Sequence, residues 1–267
     1  IRERRDMVKL AANLSMMFQD LPFLDRFDAA EAAGFSGVEF MFPYDTDPAD
    51  VAARARKCGL EVVLFNLPAG DWAGGERGIA ALPDRVEEFR AGVTKGLDYA
   101  RALGCPRLHL MAGKAPASAE CRSTLVANIV HAAELAAADG VEILIEPINT
   151  RVDIPGYFYG TTDEALSVMD EAARDNVRLQ YDIYHMQIME GDLARSIERL
   201  LPRIGHMQLA DNPGRAEPGS GEINYPWLLN HIDALGYDGW IGCEYRPAAD
   251  TTSGLGWARD YLNSGRA

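Results

Sequence analysis

The chain has 267 residues, 48% of them hydrophobic, and its 26 basic against 40 acidic side chains give a formal net charge of −14. That hydrophobic share is ample for a core, yet no apolar stretch approaches the roughly 20 residues that a membrane-spanning helix needs. With no basic run, the charge balance excludes a duplex-binding surface, which depends on cations displacing phosphate counterions, and fits a cytoplasmic protein acting on a small molecule. The opening IRERRD is basic but lacks the apolar segment of a secretory signal. Residues 1–6 read as a start-site remnant ahead of Met7, and 7–267 as a single domain.

In chain order, short apolar runs begin at Val8 (VKLAANLS), Gly37 (GVEFMFP), Glu61 (EVVLFNLP), Arg107 (RLHLMAGK), Val141 (VEILIEPIN), Val177 (VRLQYDIYH), Ile204 (IGHMQLAD) and Gly239 (GWIGCEYRP). Their Val, Ile, Leu, Phe and Tyr content suits strands buried on both faces. Amphipathic stretches lie between them. FLDRFDAAEAAG closes on Gly34, and DPADVAARARKCG opens with Asp47 as an N-cap before Pro48 at the first helical position. RVEEFRAGVTKGLDYARALG and STLVANIVHAAELAAADG repeat apolar residues at three-to-four spacing, and TTDEALSVMDEA starts on Thr161 or Thr162 as a cap. Strand and helix alternating over this length predict an α/β protein, a single (β/α)8 TIM barrel. A doubly wound sheet would carry a Gly-rich loop after its first strand, where this chain has NLSMMFQD. The four cysteines (Cys58, Cys105, Cys121, Cys243) are scattered without a CxxC and read as reduced thiols.

Glu146, Asp182, Gln208 and Glu244 each sit at the C-terminal end of one of the last four runs, 36, 26 and 36 residues apart. Active sites of parallel barrels lie at that end. Alternation along each strand puts all four on the inward parity, opposite Ile145, Tyr181, Met207 and Cys243. Converging oxygens suit a hard divalent cation such as Mg or Mn. A proton-sharing cluster, or one neutralised by arginine, would satisfy the same pattern. His185, three residues beyond Asp182, is a substrate-side candidate; Arg215 and Lys114, on loops after the seventh and fourth runs, are candidates for an anionic ligand. His206 is inward but a layer deeper than Gln208 and reads as a hydrogen-bonded core group. Asn13, Glu39 and Asn66 also end strands and would shape the pocket. Trp72 would either close over it or anchor a loop, and Arg151–Gly160 (RVDIPGYFYG) reads as a lid.

Segments AANLSMMF, GFSGVEFMFPYD, FNLPAGDWAGGERGIA, IEPIN, QYDIYHMQ, GEINYPWL and GWIGCEY, spread from Lys9 to Trp257, resemble the hydroxypyruvate isomerase family of the xylose-isomerase-like barrels. The resemblance implies that Glu146, Asp182, Gln208 and Glu244 bind a divalent metal. It implies that Glu146 and Glu244 form the acid/base pair, and that His185 and Arg215 contact substrate. In related ketose 3-epimerases the third ligand is usually His, so Gln208 departs from them. The implied reaction interconverts hydroxypyruvate and 2-hydroxy-3-oxopropanoate through an enediolate. The implied partner is therefore a small hydroxy or oxo acid, with neither nucleic acid nor membrane, and a homo-oligomer is compatible with it. A sister group that isomerises 2-oxotetronates shares ARDNV and GLGW, whereas NLPAGDWAGGERG and ADNPGRAEPGSGEINY side with hydroxypyruvate isomerases. Apurinic-site endonucleases share the barrel but need more His ligands and a basic groove. A non-catalytic sugar-acid binding protein would not need the paired glutamates.

Overall fold

The computed structural model describes residues 8–262, so the remnant read at 1–6 lies outside the described residues. Eight strands, β1 (Lys9–Asn13), β2 (Gly37–Phe40), β3 (Glu61–Asn66), β4 (Arg107–His109), β5 (Glu142–Ile145), β6 (Val177–Asp182), β7 (Ile204–Leu209) and β8 (Trp240–Cys243), pair in parallel in sequence order. β8 pairs with β1, which closes the barrel. The helices are α1 (Asp25–Ala32), α2 (Pro48–Cys58), α3 (Val86–Leu103), α4 (Ala119–Ala137), α5 (Thr162–Ala172), α6 (Ile183–Met189), α7 (Leu193–Leu200), α8 (Tyr225–Ala234) and α9 (Arg259–Leu262). None among the described residues is long and apolar enough to cross a membrane.

Local signals set the helix ends. Asp47 accepts a hydrogen bond from the Ala49 N–H at 2.8 Å, Pro48 follows, and Gly59 closes α2 at φ 65°. Of the two threonines at the start of α5, Thr161 is the cap, paired with Glu164 in a reciprocal capping box. One boundary differs from the apolar pattern. The run VRLQYDIYH leaves strand conformation after Asp182, because the Asp182 carboxylate accepts the Tyr184 N–H at 2.8 Å and starts α6. His185 therefore stands on a helical turn, not at a strand end.

Most of the core lies between strands and helices, where Phe40, Phe65, Ile143, Tyr181, Met207 and Cys243 face outward from the barrel. The interior is filled differently. A small apolar plug of Ala11, Val63, Leu64, Leu144 and Trp240 occupies its lower part. Above it lies a buried polar layer of Asn13, Glu39, His109, Gln180, His206 and Gln208. Space for that layer comes partly from Gly242: a Cβ there would stand 2.1 Å from Glu39 Oε2. The polar layer is the floor of the site.

Candidate active site at the barrel mouth

Register carries the first ligand candidates to one level. Asp182 pairs with Gln208 across β6 and β7, and Gln208 with Gly242 across β7 and β8. Glu146 and Glu244 fall one residue beyond β5 and β8 and turn in over the mouth. Carboxylate oxygens of Glu146, Asp182 and Glu244 and a ring nitrogen of His185 all lie within 4.8 Å of one another. Arg215 reaches the same cluster from the β7–α8 loop, donating to Glu244 at 2.7 Å and to Asp153 at 3.1 Å, with Asp182 at 3.8 Å. Its guanidinium lies over the Tyr184 ring, 5.1 Å from the centroid. Buried Asp211 pins that loop by accepting the N–H groups of Asn212, Gly219, Gly221 and Ile223.

The cluster's ionisation follows from burial. Loss of solvent raises the Glu146 carboxyl well above its ordinary range, and the neighbouring Glu244 and Asp182 charges push it further up. Burial raises Asp182 and Glu244 too, against the opposing pull of Arg215. Burial would lower the Arg215 guanidinium, but Glu244, Asp182 and Asp153 outweigh it and raise it. His185 is pushed far down, by burial first and then by Arg215, so its ring is neutral. His109, 3.4 Å from Glu146, is lowered by burial to about 3.

The neutral His185 ring has a defined tautomer. Asn149 Oδ1 accepts the N–H groups of Val152 and Asp153, which orients its amide so that Nδ2 donates to Asp153 at 2.5 Å and faces His185 Nδ1 at 2.7 Å. Nδ1 is then the acceptor, and the ring proton sits on Nε2. That N–H points into the cluster, 3.4 Å from Asp182 and 3.8 Å from Glu146. A nitrogen carrying a proton donates hydrogen bonds and does not ligate a metal.

The donor set fits a hard divalent cation. Glu146 Oε1 and Asp182 Oδ2 are buried without a hydrogen-bond partner, which isolated anionic oxygens do not tolerate. Gln208 Nε2 donates to Glu39 at 2.8 Å, fixing its amide so that Oε1, which accepts from Gln180 at 2.7 Å, has a second lone pair to offer. Glu39 is held in turn by Asn13 at 2.9 Å and by His206, 2.6 Å away. His206 is thus the hydrogen-bonded inner group that its parity suggests.

These groups open onto a cavity of about 470 Å³ lined by Asn66, Trp72, His109, Glu146, Asp153, Ile154, His185, Arg215 and Glu244, among others. Lys114 is not in that lining; its ammonium is exposed and donates to the Gly75 carbonyl. The Arg151–Gly160 loop contributes Asp153 and Ile154 to the wall. It packs on the β4 loop, where the Ala112 N–H donates to the Tyr157 hydroxyl at 3.0 Å. Trp72 lines the cavity with its ring tilted at 57° to Phe42, ring centroids 5.0 Å apart. Sequence reasoning missed Asn149, Asp153 and Asp211. Asn149 lies in the recognised IEPIN segment, but the partners of all three come from loops whose course periodicity does not specify.

Comparison with known proteins agrees with this architecture. The profile described as xylose isomerase-like TIM barrel matches residues 27–261. The chain belongs to that family. The 2-oxo-tetronate isomerase of Cupriavidus necator is 52% identical over 259 residues, covering 96% of this chain and 99% of the relative. Hydroxypyruvate isomerase of Escherichia coli is 48% identical over 258 residues, covering 96% and 100%. The crystal structure of an AP endonuclease, family 2 protein from Brucella melitensis superposes with a TM-score of 0.93 at 47% identity, covering 96% and 99%. Within the xylose isomerase-like barrels, this chain is an enzyme of an isomerase family.

Proposed function

We propose that the protein isomerises a small 2-oxo acid, interconverting hydroxypyruvate and 2-hydroxy-3-oxopropanoate, with Glu146 and Glu244 as the acid/base pair. The observation that carries this reading is the pair itself: a buried Glu146 and a partly buried Glu244, brought from the ends of β5 and β8 to one cavity, with carboxylate oxygens within 4.8 Å of each other, of Asp182 and of His185. Burial that raises a carboxyl also makes its ionised form a stronger base, as abstraction from carbon requires. One glutamate takes a proton from C3 of hydroxypyruvate, giving an enediolate, and the other returns a proton to C2. The hydroxyl proton passes from O3 to O2, with His185 Nε2–H positioned to donate to the enediolate oxygens. Glu146, Asp182, Gln208 and Glu244 would hold a divalent cation, Mg or Mn, whose charge polarises the carbonyl. Arg215 keeps Glu244 and Asp153 in place and remains within reach of the ligand.

A 2-oxotetronate is the second substrate reading, favoured by the 52% identity to the C. necator enzyme. Cleavage of nucleic acid is disfavoured by the net charge of −14, since binding a polyanion needs a cationic groove. Turnover of hydroxypyruvate and of 2-oxotetronates, each with and without chelator, tests the proposal. Chelator-sensitive isomerisation of either acid supports it, and absence of isomerisation with both acids in the presence of Mg²⁺ or Mn²⁺ refutes it.

A further inference from the structure

Glu146, Asp153 and Glu244 line the inner cavity, Asp182 belongs to the same cluster, and Arg215 is the guanidinium that Asp153, Asp182 and Glu244 share. Even with a divalent cation added, the formal charge of that group is negative by one, or zero when one glutamate holds the proton it delivers. An acid ligand therefore needs a cation that the cluster does not already engage. Two further guanidiniums line the cavity, Arg77 and Arg246, and among the described residues neither has a carboxylate at ion-pair distance. Arg246 is exposed, where solvent weakens its pull and leaves it without fixed geometry.

Arg77 is built in. Its NH1 donates to the carbonyls of Trp72 (3.1 Å) and Glu76 (2.6 Å), and its plane lies over the Trp72 ring, 4.1 Å from the centroid. The loop beneath it is fixed at both ends. Glu76 accepts the Asp71 N–H and a two-pronged bond from Arg85. Gly78 bridges to Ala112 and lies so close to Met111 that a Cβ would stand 2.4 Å from its carbonyl oxygen. Among the described residues nothing engages Nε and NH2 of Arg77, a preorganised fork of the kind that suits a planar carboxylate.

We propose that Arg77, stacked on Trp72, receives the substrate carboxylate and makes the cavity selective for 2-oxo acids over uncharged ketoses. The inference rests on the isomerase reading for the identity of the acid. Its test is binding, which is separable from turnover. Hydroxypyruvate and dihydroxyacetone differ by a carboxylate against a CH2OH group. Both are titrated calorimetrically, with Mn²⁺ present, into wild type, Arg77→Met, Arg77→Lys and Arg246→Met, and their steady-state turnover is measured. Arg77→Met should weaken the acid roughly 10- to 100-fold, the range for a charged hydrogen-bonded pair. The loss should appear in KM rather than kcat, with dihydroxyacetone unaffected. Arg77→Lys should fall between, since it keeps the charge and loses the fork. The proposal is overturned if Arg77→Met binds the acid as wild type does, or if acid and ketone weaken equally. It is also overturned if the loss appears in Arg246→Met instead, or if wild type does not bind the acid. A wild type that binds acid through Arg77 but converts none would refute the reaction and still support Arg77.

Discussion

Glu146 and Glu244 differ in how firmly each is held. Among the described residues Glu146 has only His109 and His185 at ion-pair distance, whereas Glu244 is tied by Arg215 and lies 3.4 Å from Asn13. Replacing either with Gln keeps an oxygen for a cation and removes the proton acceptor. Glu146→Gln and Glu244→Gln should each lower kcat by about 10²–10⁴-fold while still binding Mn²⁺ in a calorimetric titration. Wild-type kcat in either variant would remove that glutamate from proton transfer. His109 gives a stability prediction. Burial holds it at about 3, below its ordinary 6.5, so as pH falls the unfolded chain takes up this proton first. Its contribution is full above about 6.5 and is lost as pH falls towards 3. Urea melts of metal-free protein across that window should show a shallower pH slope in His109→Gln than in wild type. An unchanged slope would mean that His109 titrates alike in folded and unfolded states.

At the level of elements, the β-strands carry most of what the sequence discloses. Side chains alternate with a period of two, so parity alone assigns Glu146, Asp182, Gln208 and Glu244 to the interior, and spacing puts them at the C-terminal ends of successive strands. Helix starts at Asp47 and Thr161 are equally legible, because a capping side chain acts on N–H groups two or three residues away. The end of β6 is not, since Asp182 doubles as ligand candidate and helix cap. Nor are the loop contacts: the tautomer of His185 depends on Asn149 from a different βα loop, and Arg215 on Asp211. Glu39 is legible as an inward residue, but the Gly242 that makes room for it is 203 residues away in sequence. Gly242→Ala places a methyl against the Glu39 carboxylate and should destabilise the fold by about 1–3 kcal/mol as an overpacking change. The same displacement should loosen Gln208 and weaken Mn²⁺ binding. Wild-type melting and Mn²⁺ affinity together would show that the layer tolerates the methyl.

Over the whole molecule, barrel closure turns residues nearly a hundred positions apart into one cluster, and its low-dielectric setting makes their protonation matter. Burial raises Glu146, Asp182 and Glu244, and a cation must displace any protons they hold. Mn²⁺ affinity should therefore climb from about pH 5 to pH 8; a flat profile would place binding elsewhere. Two glutamates acting in turn also make a claim about where hydrogen goes. Hydroxypyruvate deuterated at both C3 positions, converted in ordinary water and read by NMR, follows that hydrogen directly. The product should keep one deuterium at C3 and carry solvent hydrogen at C2, because the second proton comes from a different carboxyl. Deuterium transferred from C3 to C2 would show one group, or a direct shift, doing both steps and would contradict two glutamates acting in turn.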